Sequence, residues 1–239
     1  SELGVTSIQH PGGGDAAFYQ EWLEQGMLTC RIDVAGRLTS DENELGKYDE
    51  LRKKYPSEGN WIRFGYLKGY IDGTLGSATA LMFEPYEADP DNTGLTQMTD
   101  EELEQIVVKC DSRGFQIGIH AIGDKANNWL LNAFEKAAGV NGWRDSRHRS
   151  EHAQILSEED IPRFLQLGVI ASMQPTHCIT DKRFCEQRIG KERSQYAYAW
   201  RSLLDGGAKI AFGTDYPVEP LNPMEGLYAA VTRKDRMGE

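Results

Sequence analysis

The sequence lacks the features that direct a protein to nucleic acid or into a membrane. Its 26 basic residues are outnumbered by 37 acidic ones, which gives a formal net charge of −11 and no basic surface to neutralise phosphates. No apolar run approaches the roughly 18 residues of a membrane span, and the chain does not open on a signal-like segment. We therefore expect no nucleic-acid or membrane partner and predict a soluble, cytoplasmic protein.

Cysteine is also scarce, and its spacing excludes a disulfide framework or a C-x-x-C site. The four cysteines, Cys30, Cys110, Cys178 and Cys185, are scattered along 239 residues. They are predicted to be free, buried thiols. Repeats, low-complexity tracts and Pro/Ser-rich linkers are absent as well. The length suits either one large α/β barrel or two small domains.

Short apolar runs alternate with amphipathic helical stretches, which is typical of a parallel sheet built from βα units. Thr99 with Glu102 forms a capping-box pattern before one helix, and Ser157 precedes another. A further helix is predicted over Tyr196 to Leu204. The seven predicted strands lie at about residues 4–9, 27–34, 62–71, 115–119, 147–155, 169–174 and 209–215.

Polar residues stand near the carboxyl ends of several predicted strands, where an α/β barrel places its reactive groups. Lys68, His120, His152 and Asp215 each belong to a different strand. The strand over residues 147–155, RHRSEHAQI, is too polar for a doubly covered strand unless it lines a wet or metal-filled site. Imidazole and carboxylate are suitable ligands for zinc or a similar divalent ion, so a closed barrel would gather a metal site.

Three further positions are candidates for a role at the site. His148 and His152 share a face if the strand is extended, so His148 either orients a ligand or is structural. His177 follows the strand ending in MQP and could meet substrate on a loop. Asp72 and Gly73 could begin a phosphate-cradling loop, but the absence of a Walker-type Lys-Ser/Thr pair favours a tight turn near the site.

Five segments together resemble the amidohydrolase superfamily, specifically the family-3 branch that includes N-substituted formamide deformylase. They are WIRFGYLKGYIDGTLGSATA, GIHAIGDKA, RHRSEHAQ, VIASMQPTH and AFGTDYPVEP. The resemblance implies a metal-dependent (β/α)8 barrel that hydrolyses C–N bonds of small amide-type molecules by metal-activated hydroxide. By it, Lys68 corresponds to a lysine that can be carboxylated to bridge two metals. His120, His152 and Asp215 correspond to metal ligands, and Asp215 also to the catalytic proton shuttle.

Two parts of that family pattern are missing from the sequence. There is no H-x-H pair, which supplies two metal ligands on the first strand, and no room for the flanking β-sandwich. We therefore expect residues 1–239 to form one partial domain, an incomplete barrel of about strands 2 to 8. As a fragment it should hold one ion or none, have little activity alone and be prone to pair with a second copy through its open edges.

Three other functions stay open at this point. The chain could be a mononuclear, deaminase-like amidohydrolase in which Lys68 is an unmodified amine. Lys68 could instead form a Schiff base, as in an aldolase-type barrel. Finally, the chain could be a non-catalytic barrel that has lost its metal.

Overall fold

All seven predicted strands are present in the computed structural model, which describes residues 1–12, 14–58 and 61–239. Every neighbouring pair is parallel, and the strands follow one another in chain order across a single sheet. The strands are β1 (Ser7–His10), β2 (Arg31–Arg37), β3 (Ile62–Tyr70), β4 (Gln116–Ala121), β5 (Arg149–His152), β6 (Ile170–Met173) and β7 (Lys209–Phe212).

Helices lie between the strands, as the βα pattern predicts. None of the helices in the described ranges is long and apolar enough to cross a membrane. They are α1 (Ala16–Glu24), α2 (Glu42–Lys54), α3 (Asp100–Ser112), α4 (Asp124–Asn141), α5 (Ile161–Gln166, after a 3-10 turn at Glu158–Asp160), α6 (Pro175–Asp181), α7 (Cys185–Ser194), α8 (Trp200–Asp205) and α9 (Pro223–Thr232).

The capping box predicted before α3 is confirmed. The Thr99 hydroxyl accepts the Glu102 backbone N–H at 3.2 Å, and the Glu102 carboxylate accepts the Thr99 N–H at 2.9 Å. These two bonds satisfy amide donors that the helix itself leaves free. The helix therefore starts at a fixed residue, and its buried face, which includes Leu103 and Val107, packs towards the core.

The sheet curls, and its inner face is polar. The Arg149 guanidinium on β5 donates to Gln9 Oε1 on β1, four strands away, which a flat sheet would not allow. Arg149 Nε also donates to Glu151 Oε1 at 2.7 Å, and the guanidinium lies 4.9 Å from the centre of the Tyr66 ring. The polar fifth strand therefore lines the inside of the curl. The predicted incomplete TIM-like barrel is confirmed.

The prediction that all four cysteines are free thiols is confirmed. Cys110, Cys178 and Cys185 are buried, whereas Cys30 is half-buried.

The predicted helix over residues 196–204 begins later than expected, at Trp200. Tyr198 has a left-handed backbone with a φ of 53°, and its N–H donates to Gln154 O at 2.7 Å. Its carbonyl accepts Arg233 Nη1 at 2.9 Å. Tertiary partners therefore take the backbone groups that a helix would use, and they override the local pattern.

His148 does not lie on the face that the sequence interpretation gave it. Its Nδ1 accepts the Ile117 backbone N–H at 3.1 Å, and its Nε2 lies 3.1 Å from Asp111 Oδ1. The ring stacks on Phe134 of α4 at 4.6 Å, so it belongs to the layer between sheet and helices. The shared-face expectation fails because His152, with a φ of 79°, breaks the extended alternation. His148 therefore lies outside the strand-end cluster.

Asp111 is the centre of this buried polar group. Burial alone raises the pKa of the Asp111 carboxyl, but hydrogen bonds from His148 and Asn141 and the Arg144 guanidinium outweigh that effect and lower the pKa to about 2. Burial lowers the pKa of His148 despite the Asp111 carboxylate. The folded state therefore favours a charged Asp111 beside a neutral His148.

We predict that Asp111→Asn destabilises the protein by about 1–3 kcal/mol at pH 7, because charge-assisted hydrogen bonds to a buried group are lost. The carboxylate stabilises the fold above its ordinary pKa of 3.8, and this contribution is lost as the pH falls towards about 2. Urea unfolding of both proteins at several pH values checks this. A stability difference that does not shrink below pH 4 would contradict the assignment.

Candidate metal centre at the carboxyl edge of the sheet

Five chemically active side chains come from the carboxyl ends of successive strands. Lys68 lies near the end of β3, His120 near the end of β4, and His152 is the last residue of β5. His177 follows β6, and Asp215 comes three residues after β7. Because the strands are parallel and the sheet curls, these ends meet on one side of the molecule.

The distances show a single cluster. The ring centroids of His120 and His152 are 4.5 Å apart, and those of His152 and His177 are 6.0 Å apart. His177 Nε2 lies 3.9 Å from Asp215 Oδ2. One ligand atom each from His152, His177 and Asp215 lies within 4.8 Å of the other two. Three potential ligands thus already converge.

Hydrogen bonds determine which nitrogen of two histidines remains free. His120 Nε2 lies 2.8 Å from Gly73 O, and because a carbonyl only accepts, Nε2 carries the hydrogen and Nδ1 keeps its lone pair. His152 Nδ1 lies 2.7 Å from Gln174 Oε1, whose orientation follows from the bond that Gln174 Nε2 donates to Ser172 O. His152 therefore keeps the lone pair of Nε2. An imidazole held in this way is typical of a metal ligand.

His177 lies in the first turn of α6 and not on a loop as expected. Pro175 at the first helical position starts this helix, a signal that the sequence interpretation overlooked. His177 Nε2 is buried and has no hydrogen-bond partner among the described residues. Burial, together with the nearby His120, lowers the pKa of His177 to about 4. At neutral pH the cluster therefore contains an uncharged imidazole with an unsatisfied nitrogen.

Lys68 is buried beside the histidines. Its Nζ donates to Gly69 O at 2.8 Å and lies 3.4 Å from the centre of the Tyr70 ring. Burial lowers the pKa of Lys68 to about 7, against the opposing effect of the Glu151 and Asp215 carboxylates. A substantial fraction of this amine is therefore neutral, and able to act as a nucleophile, near pH 7.

The backbone at two of the ligands is unusual. His152 has a φ of 79° and Asp215 a φ of 57°, values that non-glycine residues adopt only at a cost. Burial raises the pKa of Asp215, whereas Lys68 and His120 oppose that shift. The strained backbone turns both side chains away from the strand direction and towards the cluster.

Two further residues of the site were not assigned from the sequence. Gln174 orients His152, as described above. Asp72 was taken as part of a tight turn, yet its buried carboxylate lies 3.3 Å from His120 Nε2. Both are polar residues just beyond the end of a strand, and that position was the signal available for finding them.

The chemistry of this donor set fits a divalent transition-metal ion. Imidazole nitrogens and a carboxylate oxygen are its usual ligands. His177 Nε2, close to Asp215, is a buried nitrogen that a bound ion or molecule could partner. The residues present are therefore compatible with a bound ion.

Several known proteins are similar to this chain in sequence. The chain is 43% identical over 174 residues to Protein LONG AFTER FAR-RED 3 of Arabidopsis thaliana, covering 72% of the chain and 30% of that protein. It is 37% identical over 221 residues to the putative amidohydrolase YtcJ of Bacillus subtilis, covering 92% and 41%. The N-substituted formamide deformylase of Arthrobacter pascens is 22% identical over 240 residues, covering 95% and 43%. The chain thus spans less than half the length of each of these relatives.

A solved structure shares the fold. An uncharacterized metal-dependent hydrolase from Pyrococcus horikoshii superposes with a TM-score of 0.82 at 31% identity, covering 97% of this chain and 46% of that chain. The sequence profile of the amidohydrolase family matches residues 1–239. The chain therefore belongs to the amidohydrolase family.

Proposed function

We propose that these residues form part of the catalytic barrel of a metal-dependent hydrolase that cleaves C–N bonds of small, amide-type molecules. The observation that carries the proposal is the convergence of His120, His152, His177 and Asp215, with ligand atoms left free, at the carboxyl edge of the sheet. Family membership supports the hydrolytic reaction. The substrate class rests on the more distant deformylase relative, whose name describes an N-substituted formamide as its substrate.

We assign the ion, which we propose to be zinc, to Lys68, His120, His152 and Asp215. His120 offers Nδ1 and His152 offers Nε2, the nitrogens that their hydrogen bonds leave free. When bound, the ion polarises the substrate carbonyl and lowers the pKa of a water molecule. Arg149 and Glu151 form an ion pair on the polar inner face of the sheet.

Asp215 is proposed to move the proton. Its side chain is 31% exposed, so water can reach the carboxylate, and one oxygen lies 3.9 Å from His177 Nε2. The carboxylate accepts a proton from the attacking water and returns it to the leaving nitrogen. Asp215→Asn in the whole protein should remove turnover, and turnover that persists with metal bound would contradict this role.

His177 is proposed to contact the substrate. As a neutral imidazole with an unsatisfied buried nitrogen, it can form a hydrogen bond with a substrate bound beside Asp215. The bound substrate would give the nitrogen the partner that it lacks.

Two chemical states of Lys68 are candidates: a carbamate and an unmodified amine. In the first, the neutral amine attacks the carbon of carbon dioxide, an N–C bond forms as one C–O π bond breaks, and the nitrogen passes a proton to a water molecule. The product is an anionic carbamate, which would supply a negatively charged ligand. In the second, a mononuclear, deaminase-like enzyme, Lys68 stays an amine. The position of Lys68 inside the cluster favours the carbamate, because a free ammonium ion would repel a cation.

These residues contain only part of a two-metal ligand set, because the sequence has no H-x-H pair. We propose that the 239-residue chain alone holds one ion and turns substrate over slowly.

The edges at β1 and β7 are the ends of the described sheet, and pairing of two copies there is a further proposal. A cytoplasmic location remains a prediction, made because the sequence has no membrane-length apolar run and no signal-like segment.

Metal binding tests the proposed function. Metal-free protein dialysed against zinc should bind about one equivalent, and His152→Gln should weaken binding at least about tenfold because a direct ligand is lost. His148→Gln is the matched control: it changes a buried histidine that directly precedes β5 but lies outside the cluster, so it should lower stability and leave zinc affinity unchanged. Absence of zinc from the wild type would contradict the proposal and favour a non-catalytic barrel, and two tightly bound ions would contradict the single-ion stoichiometry.

Carbon-13 NMR tests the state of Lys68. Protein incubated with zinc and 13C-labelled bicarbonate should show a carbamate signal that disappears in Lys68→Ala. Short carboxylic acids should partly restore zinc affinity to this variant, because they replace the missing anion. A wild-type spectrum without the signal, at full zinc occupancy, would favour the mononuclear alternative.

A further inference from the structure

Asp72 is a buried carboxylate that none of the proposed chemical steps uses. It lies two residues after the end of β3, and its side chain is fully buried. Oδ2 accepts the backbone N–H groups of Leu81 at 2.9 Å and Gly123 at 2.8 Å, and Oδ1 accepts that of Ile122 at 3.1 Å. Three amide donors thus replace the water that burial removes from the carboxylate.

The same carboxylate reaches His120. Asp72 Oδ1 lies 3.3 Å from His120 Nε2, and Gly73 O lies 2.8 Å from the same nitrogen. Two acceptors, one of them an anion, therefore face Nε2 and favour the tautomer that carries its hydrogen there. The free Nδ1 is then the nitrogen available on the other side of the ring.

Asp72 also ties the loop over residues 73–81 to the turn after β4. The two segments are in direct contact, because a Cβ at Gly123 would overlap the Leu81 carbonyl. Within the loop, a Cβ at Gly73 would overlap the Thr79 side chain. The carboxylate lies between Leu81 at the end of the loop and the Ile122 and Gly123 amides. Asp72 therefore helps to fix the segment that carries the Gly73 carbonyl, which contacts His120.

We propose that Asp72 is a positioning residue that holds His120 in the Nε2–H tautomer with Nδ1 available to the centre. The link to metal binding rests on the proposed function, whereas the tautomer itself does not. In Asp72→Asn, the amide NH2 must face either backbone N–H groups or the His120 N–H. This donor-to-donor contact removes the preference for Nε2–H.

Long-range 1H–15N NMR of the metal-free, full chain at pH 8 measures the tautomer directly. His120→Gln assigns the His120 signals. The wild type should show the hydrogen on Nε2, and Asp72→Asn should show a mixture or the Nδ1–H form. Asp111→Asn is the matched control, since it also neutralises a buried carboxylate that contacts a histidine, His148, at 3.1 Å, and it should leave His120 unchanged.

Zinc affinity provides the second measurement. Asp72→Asn should weaken binding by about 10–100-fold, the usual effect of losing a residue that orients a metal-ligating histidine, and Asp111→Asn should not. A wild-type His120 with its hydrogen on Nδ1 would overturn the proposal even if the Asp72 variant fails to fold. So would an Asp72→Asn protein with an unchanged tautomer and unchanged affinity. If the wild type binds no zinc, the proposed function fails, and the tautomer still decides the role of Asp72.

Discussion

In a flat sheet, β3 and β7 would lie about 19 Å apart, because four strand spacings of about 4.8 Å separate them. The curl removes that distance, so that the Asp215 carboxylate is close enough to raise the pKa of Lys68 against the larger, lowering effect of burial. The bond between Arg149 and Gln9, which joins β5 to β1 across the interior, accompanies the same curl. Every later feature of the site depends on this shape, since each ligand comes from a different strand.

The structure uses two kinds of support around the cluster. First, hydrogen-bond acceptors fix one ring nitrogen of two histidines. Gly73 O and Asp72 face Nε2 of His120, and Gln174 faces Nδ1 of His152. On the chain itself, left-handed backbone at His152 and Asp215 redirects the side chains at the strand ends. Both features have a free-energy cost, because they restrict side chains or strain the backbone. Packing of the surrounding residues must offset that cost. They leave the ligand atoms of the cluster facing one space.

The sequence predicted most of the seven strands because they are apolar runs bounded by a turn or a helix cap, as the Thr99–Glu102 box shows. The fifth strand is instead polar, because it lines the inside of the curl. It also singled out Lys68, His120, His152 and Asp215, since strand-end polarity is a local signal. Its expectation that His148 shares a face with His152 is wrong, because the alternation was carried through to His152, whose backbone is not extended. The role of Asp72 was missed for another reason: its partners lie 9 to 51 residues further along the chain and leave no periodic pattern.

The account's central claim is that the strand ends form a metal centre whose histidines offer defined nitrogens. The most direct measurement is anomalous X-ray diffraction at the zinc edge from crystals of the chain grown with zinc. The account predicts an anomalous peak bonded to His120 Nδ1 and His152 Nε2 beside Asp215. No peak at this edge of the sheet, or a zinc ion bonded to His120 Nε2 and His152 Nδ1, would contradict it.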